Sequence, residues 1–275
     1  MNNPIATYRI QFHKDFSFKD FEKRIPYLQK LGVSTIYASP ILAATPGSTH
    51  GYDGISPEHI NPEIGTEEQL RDISAILKKQ DIGWLQDIVP NHMAFHSDNG
   101  WLMDVLEKGQ QSEYASYFDI AWNSKLFQGK LMVPFLGAEL EEVIANGQLK
   151  LQYTNDRLML VYEGAAFPVN IRSYMNILGT DVENAPESVQ QLAKQVGEIH
   201  EAEDAKVFSQ RWNELVLQIA SLMKNDVISS WVNGIIEKIN SDQQAITDLA
   251  NGQEYMLCFW QKTDSQINFR RFFTL

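Results

Sequence analysis

Two histidines follow an apolar run in the segment QDIVPNHMAFH (86–96). His92 and His96 stand four residues apart, a spacing that on a helix places both side chains on one face, as in zinc enzymes with the H-E-x-x-H pattern. Position 93 is Met, so the glutamate that activates water in those enzymes is missing, and Pro90 favours a loop. The chain has one cysteine, so no thiolate pair supplies further ligands. The segment therefore predicts neither a metal site nor a cofactor.

Three polar side chains of the same segment, Asp87, Asn91 and His92, could contact a ligand other than a metal. An ionised carboxylate at the end of a buried strand costs free energy unless it is paired or hydrogen-bonded. Asp87 is therefore either a structural aspartate bonded to a cation on a neighbouring strand or part of a binding site, and these two interpretations are compatible. His92, at the edge between strand and loop, is a candidate for ligand contact. Asn91 either joins that site or holds the backbone of its own loop.

A second polar segment, PGSTHGYDGISPEHINPEIGT (46–66), is dense in turn residues and hydrogen-bonding side chains. Tyr52 beside His50 offers an aromatic face together with hydrogen-bonding groups, which is the usual chemistry of a pocket that grips a sugar ring. The alternative is that Tyr52 packs the loop against the protein and Asp53 caps a turn. Both interpretations stay open on local chemistry alone.

Alternating strands and helices position these two segments. Residues 5–12, 33–39 and 82–89 are rich in β-branched and aromatic residues and predict strands. Apolar residues spaced three or four apart predict a helix over 18–32, and another helix follows Thr66. This order implies a parallel sheet with right-handed crossovers, in which the carboxyl ends of the strands face the functional site. Both polar segments follow such ends.

Local signals add detail to this arrangement. Pro26 interrupts the first predicted helix. Thr66 with Gln69 three residues later forms a capping-box pattern. Further along, residues 149–164 alternate in polarity on both sides of Asn155-Asp156, which predicts a β-hairpin, and residues 185–250 are predicted to be helical.

Composition restricts the classes of partner. The 275 residues include 23 Lys and Arg against 35 Asp and Glu, a formal net charge of −12. Nucleic-acid binding depends on clustered basic residues, so no nucleic-acid partner is predicted. No run reaches the roughly 18 apolar residues of a membrane helix, and the start lacks a signal-peptide pattern. We therefore expect a cytoplasmic protein with no membrane partner.

Four stretches resemble a known family. DIVPNH (87–92) is similar to the D-x-x-x-N-H motif that ends the third barrel strand in the alpha-amylase superfamily. The three other stretches resemble, more specifically, the maltooligosyltrehalose synthase family within it. They are SPILAATPGSTHGYDGISPEHINPEIGT (39–66), NGWLMDVLEKGQQSEYASYFDIAW (99–122) and INFRRFF (267–273).

The resemblance implies an α/β fold built as a partial (β/α)8 TIM barrel. The first three βα units would occupy residues 1–92, and an α+β insertion domain after the third strand, with a hairpin and helices, would occupy 93–252. Residues 253–275 would return to the barrel and stop before its fourth strand.

The resemblance also implies a reaction, the intramolecular transglycosylation that turns the reducing-end α-1,4 bond of a maltodextrin into an α,α-1,1 bond in trehalose biosynthesis. The substrate would be a maltooligosaccharide, with no cofactor. By the match, His92 would hydrogen-bond the sugar at the cleavage subsite, Tyr52 would stack on the same ring, and His50 would support Tyr52. Asp53 joins these as a substrate-binding residue, while Asp87 and Asn91 would orient the site. Asn91 matches a calcium-binding position of many amylases, but no metal is inferred.

The catalytic carboxylates of that family follow barrel strands four, five and seven, so none is assigned here and all three are expected beyond residue 275. Asp98, Asp104 and Glu107 are poor substitutes, because Asp104 and Glu107 are predicted to be solvated helix positions. We therefore expect a chain that is catalytically incomplete alone and that, through an exposed barrel edge, either self-associates or is unstable without the rest of the barrel. The alternatives are a non-catalytic glucan-binding remnant and another amylase-superfamily hydrolase or glucanotransferase.

Overall fold

Residues 4–199 and 204–269 are described by a computed structural model of the chain. Its contacts divide into two compact units, the first ending at Gly100 and the second beginning at Trp101. The last four residues of the INFRRFF stretch lie outside the described residues.

The first unit alternates strands and helices. Its elements are β1 (Thr7–Ile10), α1 (Phe18–Glu22), α2 (Ile25–Lys30), β2 (Thr35–Ala38), β3 (Leu42–Ala44), β4 (Gly54–Ile60), α3 (Glu67–Lys79) and β5 (Gly83–Gln86). Strands β1, β2 and β5 form a parallel sheet in that order, which confirms the predicted α/β class. The closure of this sheet into a barrel stays a prediction.

The two faces of this sheet differ in character. Ile10, Ile36 and Trp84 pack on one face into an apolar core with side chains of the helices. On the other face Arg9 is the register partner of Tyr37, and Tyr37 is the partner of Leu85. Since side chains alternate between faces along a strand, these three residues point the same way. Arg9, Tyr37 and Leu85 therefore lie on the face of the sheet opposite the apolar core.

The structure confirms the interruption of the first helix near Pro26 and the capping box of Thr66 and Gln69. The first predicted helix is divided into α1 and α2, and Pro26 lies in the first turn of α2, where its missing N–H costs no helical bond. At the start of α3, the Thr66 hydroxyl accepts from the Gln69 N–H at 3.2 Å while Gln69 Oε1 accepts from the Thr66 N–H at 3.0 Å.

The second unit contains the remaining elements. They are α4 (Gly100–Lys108, whose first residue ends the first unit), β6 (Leu131–Leu136), α5 (Leu140–Ala145), β7 (Lys150–Thr154), β8 (Arg157–Tyr162), β9 (Ala165–Pro168), α6 (Ile171–Gly179), α7 (Glu187–Gly197), α8 (Ala205–Leu222), α9 (Asp226–Ser241), α10 (Gln243–Asn251) and β10 (Tyr255–Phe259). The helices α7 to α10 confirm the predicted helical region. None of the helices described is long and apolar enough to cross a lipid bilayer.

The predicted hairpin is present as β7 and β8, which pair antiparallel with Thr154 opposite Arg157. Asn155 and Asp156 have φ of 52° and 57°, the left-handed conformation that a two-residue type I′ turn requires. Strand β9 adds a third antiparallel strand next to β8, which the sequence did not predict.

Strand β10 pairs in parallel with β6, with Tyr255 opposite Leu131. The return of residues 253–275 to the barrel stays a prediction. The boundaries 1–92 and 93–252 stay predictions, while the contacts divide the chain at Gly100.

A buried charge cluster of Asp104, Glu107, Lys108 and Arg157 corrects a second expectation. Glu107 and Lys108 are only 3% and 4% exposed and the Asp104 side chain is 12% exposed, so neither Asp104 nor Glu107 is a solvated helix position. Its carboxylate accepts from Arg157 Nη1 at 2.5 and 2.6 Å, and Lys108 binds Asp104. Burial raises the pKa of Glu107, although the Arg157 guanidinium opposes this rise. The partner of Glu107 lies far along the chain, where charge spacing within one helix cannot reveal it.

Candidate functional site

A group of hydrogen-bonded side chains, here called the edge site, lies where β2 and β5 end. The Tyr52 hydroxyl donates to Asp87 Oδ2 at 2.5 Å, and the Tyr37 hydroxyl donates to the same oxygen at 3.1 Å. Tyr37 lies in β2, Asp87 directly follows β5, and Tyr52 comes from the loop between β3 and β4. The structure thus brings together Tyr52 and Asp87, two of the residues that the sequence singled out.

Arg9, a cation on β1, joins the edge site through Tyr52; β1 is separated from β5 by β2, so Arg9 is not on the strand next to β5. Arg9 of β1 donates from Nη2 to the Tyr52 hydroxyl at 3.2 Å and from Nη1 to Gln11 Oε1 at 2.7 Å. Its guanidinium carbon also lies 5.8 Å from the ring centroid of Tyr37. The hydrogen bond with Tyr52 raises the pKa of Arg9, and the hydrogen bond with Asp87 raises the pKa of Tyr37.

Sequence reasoning missed Arg9 and Tyr37 as members of this site. A signal for them exists, because polar or amphipathic residues at matching positions of adjacent parallel strands share one face of the sheet. Using it requires the strand register, Arg9 opposite Tyr37, which the sequence does not state.

His50 lies directly beside Tyr52 within the loop. The Tyr52 N–H donates to His50 Nδ1 at 3.0 Å, and the two rings are 5.9 Å apart. His50 Nδ1 also lies 3.6 Å from Asp53 Oδ1. The support of Tyr52 by His50 remains a prediction.

Asp53 has the contacts of a turn-stabilising carboxylate. Its Oδ1 accepts from the Ser48 hydroxyl at 2.5 Å, and its Oδ2 accepts from the Thr45 hydroxyl. These are the contacts expected from the turn-capping alternative, whereas a role of Asp53 in substrate binding remains a prediction.

His92 and Asn91 lie on the segment that follows β5. His92 is half-buried and Asn91 is exposed. The Ala94 N–H donates to the Gly54 carbonyl at 2.7 Å, which ties this segment to the start of β4. Within residues 4–199 and 204–269, no group of three His, Cys, Asp or Glu side chains could hold a metal ion.

Replacing Gly51 by alanine should distort the loop that carries Tyr52. Gly51 has φ of +74°, and an added Cβ would lie 2.7 Å from the Pro40 carbonyl oxygen. We expect the free energy of unfolding to fall by about 2–4 kcal/mol, measured by chemical denaturation. Gly47→Ala is the matched control, since Gly47 has φ of +78° with nothing within 4 Å of its Cβ, and we expect a loss of about 1–2 kcal/mol. Equal losses for the two variants would contradict the close approach to Pro40.

Asp53 should contribute stability that depends on pH. Burial would raise the pKa of Asp53, but the hydrogen bonds from Ser48 and Thr45 outweigh it and hold the pKa below the ordinary value of 3.8. Because the folded pKa is the lower one, this stability is present above pH 3.8 and is lost as the pH falls through the folded pKa. Unfolding free energies between pH 2.5 and 6 should therefore show a smaller acid loss in Asp53→Asn than in the wild type. Parallel curves for the two proteins would exclude this contribution.

Comparisons with known proteins agree with the resemblance seen in the motifs. The model of the alpha-amylase catalytic domain matches residues 18–156. A putative maltooligosyl trehalose synthase of Mycobacterium tuberculosis (strain ATCC 25618 / H37Rv) is 42% identical over 142 residues, covering 49% of this chain and 18% of the relative. The chain thus spans less than a fifth of that relative's length.

Solved structures extend the similarity along the chain. A crystal structure of maltooligosyl trehalose synthase matches 99% of this chain and 27% of its own, with 31% identity and a TM-score of 0.65. The maltooligosyltrehalose synthase from Arthrobacter ramosus matches 99% of this chain and 26% of its own, with 27% identity and a TM-score of 0.63. The chain belongs to the alpha-amylase catalytic-domain family and is similar, within that family, to maltooligosyl trehalose synthases.

Proposed function

We propose that this chain forms one wall of a maltooligosaccharide-binding subsite, in a protein of the maltooligosyltrehalose synthase type. The observation that carries this proposal is the 2.5 Å hydrogen bond from Tyr52 to Asp87 at the end of the parallel strands. It fixes an aromatic ring and a carboxylate side by side, which is the combination that a sugar ring needs for stacking and hydrogen bonding. The similarity to maltooligosyl trehalose synthases supports an α-1,4-glucan as the ligand.

Each residue of the subsite has a distinct role in this proposal. The Tyr52 ring stacks on a glucose unit, and Asp87 holds its hydroxyl so that the ring keeps its orientation. His92 hydrogen-bonds a sugar hydroxyl, and His50 steadies Tyr52 through the N–H that it accepts. Asn91 orients the segment after β5. Arg9 completes the arrangement by donating to the Tyr52 oxygen from the other side.

We further propose that the chain binds glucan without converting it. Retaining transglycosylation needs two carboxyl groups about 5 Å apart, one as nucleophile and one as acid. Asp87 accepts from two phenol hydroxyls, and Asp53 accepts from two aliphatic hydroxyls. Both are engaged in orienting neighbours, so neither serves as nucleophile or acid. The reaction that we propose for a protein of this type is the intramolecular transglycosylation that produces a terminal α,α-1,1 bond.

We also propose that the protein acts in the cytoplasm on a neutral glucan and that it self-associates through β1 or β5, the outer strands of its parallel sheet. Analytical ultracentrifugation over a hundredfold range of protein concentration tests the self-association. A stable monomer at every concentration would contradict it.

Saturation-transfer NMR with maltohexaose tests the proposed ligand class. We expect transfer to the protons of maltohexaose and none to cellohexaose, whose β-1,4 linkages give a differently shaped chain of the same glucose units. Equal transfer to both oligosaccharides, or transfer to neither, would overturn the proposal.

A further inference from the structure

Trp101, Tyr114 and Tyr117 form a second aromatic feature, here called the aromatic corner. The rings of Trp101 and Tyr114 are stacked, with centroids 5.7 Å apart and planes 16° apart. Tyr117 is nearly perpendicular to both, at 5.0 Å from Trp101 and 5.5 Å from Tyr114. Tyr117 is nevertheless 60% exposed. Tyr117 therefore combines a fixed ring orientation with access to solvent, which is the condition for stacking on a ligand.

A buried polar support holds the aromatic corner in shape. The Ser112 hydroxyl donates to Asp104 Oδ1 at 2.5 Å, and the Tyr114 N–H donates to the Ser112 hydroxyl oxygen at 3.1 Å. Asp104 also binds Lys108, whose side chain is 1% exposed. Because Trp101 and Asp104 both lie on α4, these bonds lock the segment of the two tyrosines to the helix that carries Trp101. The corner is therefore pre-organised, which lowers the entropic cost of binding.

Size and charge restrict what could occupy the corner. One aromatic side chain buries roughly 150–250 Å², whereas a stable protein interface needs about 800 Å² from each partner. Three rings that already cover one another are too small for such an interface. Glu113 and Asp119 are exposed and lie on either side of Tyr117 in the sequence. Their negative charge disfavours an anionic ligand. A neutral ligand with C–H faces and hydroxyl edges, such as a pyranose ring, matches both restrictions.

We propose that the aromatic corner binds a glucose unit of an α-1,4-glucan, as a second contact that shares no residue with the edge site. This inference rests on the proposed function, since it takes the same ligand class. The face of Tyr117 contacts the sugar ring, and Trp101 and Tyr114 hold Tyr117 in position.

Fluorine NMR of the full chain labelled with 5-fluorotryptophan measures ligand binding at the aromatic corner through the chemical shift of Trp101. Trp101→Phe identifies the Trp101 resonance among those of the six tryptophans. During titration with maltoheptaose, we expect that resonance to shift and saturate. Tyr117→Ala should weaken this response about 5- to 10-fold, while Tyr117→Phe, which keeps the ring, should stay within twofold of the wild type. Circular dichroism confirms that each variant is folded.

Tyr27→Ala is the matched control, because Tyr27 is 61% exposed on α2 of the first unit and has no part in the corner. It should titrate like the wild type. If maltoheptaose binds but the Trp101 resonance does not shift, or Tyr117→Ala titrates unchanged, the aromatic corner is not a glucan contact and the proposed function stands. If maltoheptaose gives no saturation transfer either, both proposals fall.

Discussion

Replacing Glu107 by alanine is expected to lower the free energy of unfolding by about 3–5 kcal/mol. In the wild type the Arg157 guanidinium donates to both oxygens of Glu107. The substitution removes that carboxylate and leaves the guanidinium without its acceptor. Glu107 is 3% exposed and the Arg157 side chain is 31% exposed, so water hydrates the guanidinium only in part once the carboxylate is removed. Equilibrium denaturation in urea, followed by circular dichroism, measures the loss.

Two further variants separate the buried pair from a general effect of charge removal. Glu67→Ala removes a carboxylate that pairs with Arg71 at 2.5 Å on the surface, where both side chains are at least 70% exposed, and it should change stability little. Replacing Glu107 and Arg157 together by methionine should recover most of the loss, because neither charge is then left unpaired. A Glu107→Ala variant within 1 kcal/mol of the wild type would show that the pair does not exist in solution.

Asp87→Ala is expected to raise the Kd for maltohexaose about 10- to 100-fold. The substitution removes the acceptor of two phenol hydroxyls and frees the Tyr52 ring to rotate. Both phenol side chains lose their acceptor, ordering each of them on binding costs about 0.5–1.5 kcal/mol, and each 1.4 kcal/mol corresponds to tenfold in affinity. Isothermal titration calorimetry measures the change.

The control for this variant is Asp15→Ala, which removes a carboxylate that is 76% exposed in the same unit. Its affinity for maltohexaose should equal that of the wild type. Tyr52→Phe should fall between the two, since it keeps the ring for stacking and loses the hydrogen bond to Asp87. An unchanged affinity in Asp87→Ala would remove Asp87 from the site.

Features that depend on neighbouring residues in the chain were predictable. Thr66 and Gln69 satisfy each other's backbone groups within one helical turn, and Asn155-Asp156 forms the turn that its residue types favour. The edge site was predictable in part, because the ends of parallel strands meet at one edge and placed Asp87 and Tyr52 in the same region.

Features that depend on distant partners were not predictable. Glu107 and Arg157 are 50 residues apart in sequence and meet only after α4 packs near β8. Arg9 and Tyr37 became site residues only once the register of β1 and β2 was known. Strand β10 could have joined either sheet, since its residues favour a strand and do not select a partner. Strands β3 and β4 were not predicted, because glycine and proline make the segment around them resemble a turn region and the pairing between the two strands is irregular.

The central claim is that this chain holds a glucan subsite and performs no reaction on the glucan. One sample tests both parts, by incubating the chain with maltohexaose, measuring bound ligand by calorimetry and counting reducing ends and products by chromatography. We predict saturable binding that is lost in Tyr52→Ala, with maltohexaose recovered unchanged and all its reducing ends intact. Binding that is indifferent to Tyr52→Ala, or any conversion of maltohexaose to a non-reducing or shorter product, would contradict the claim.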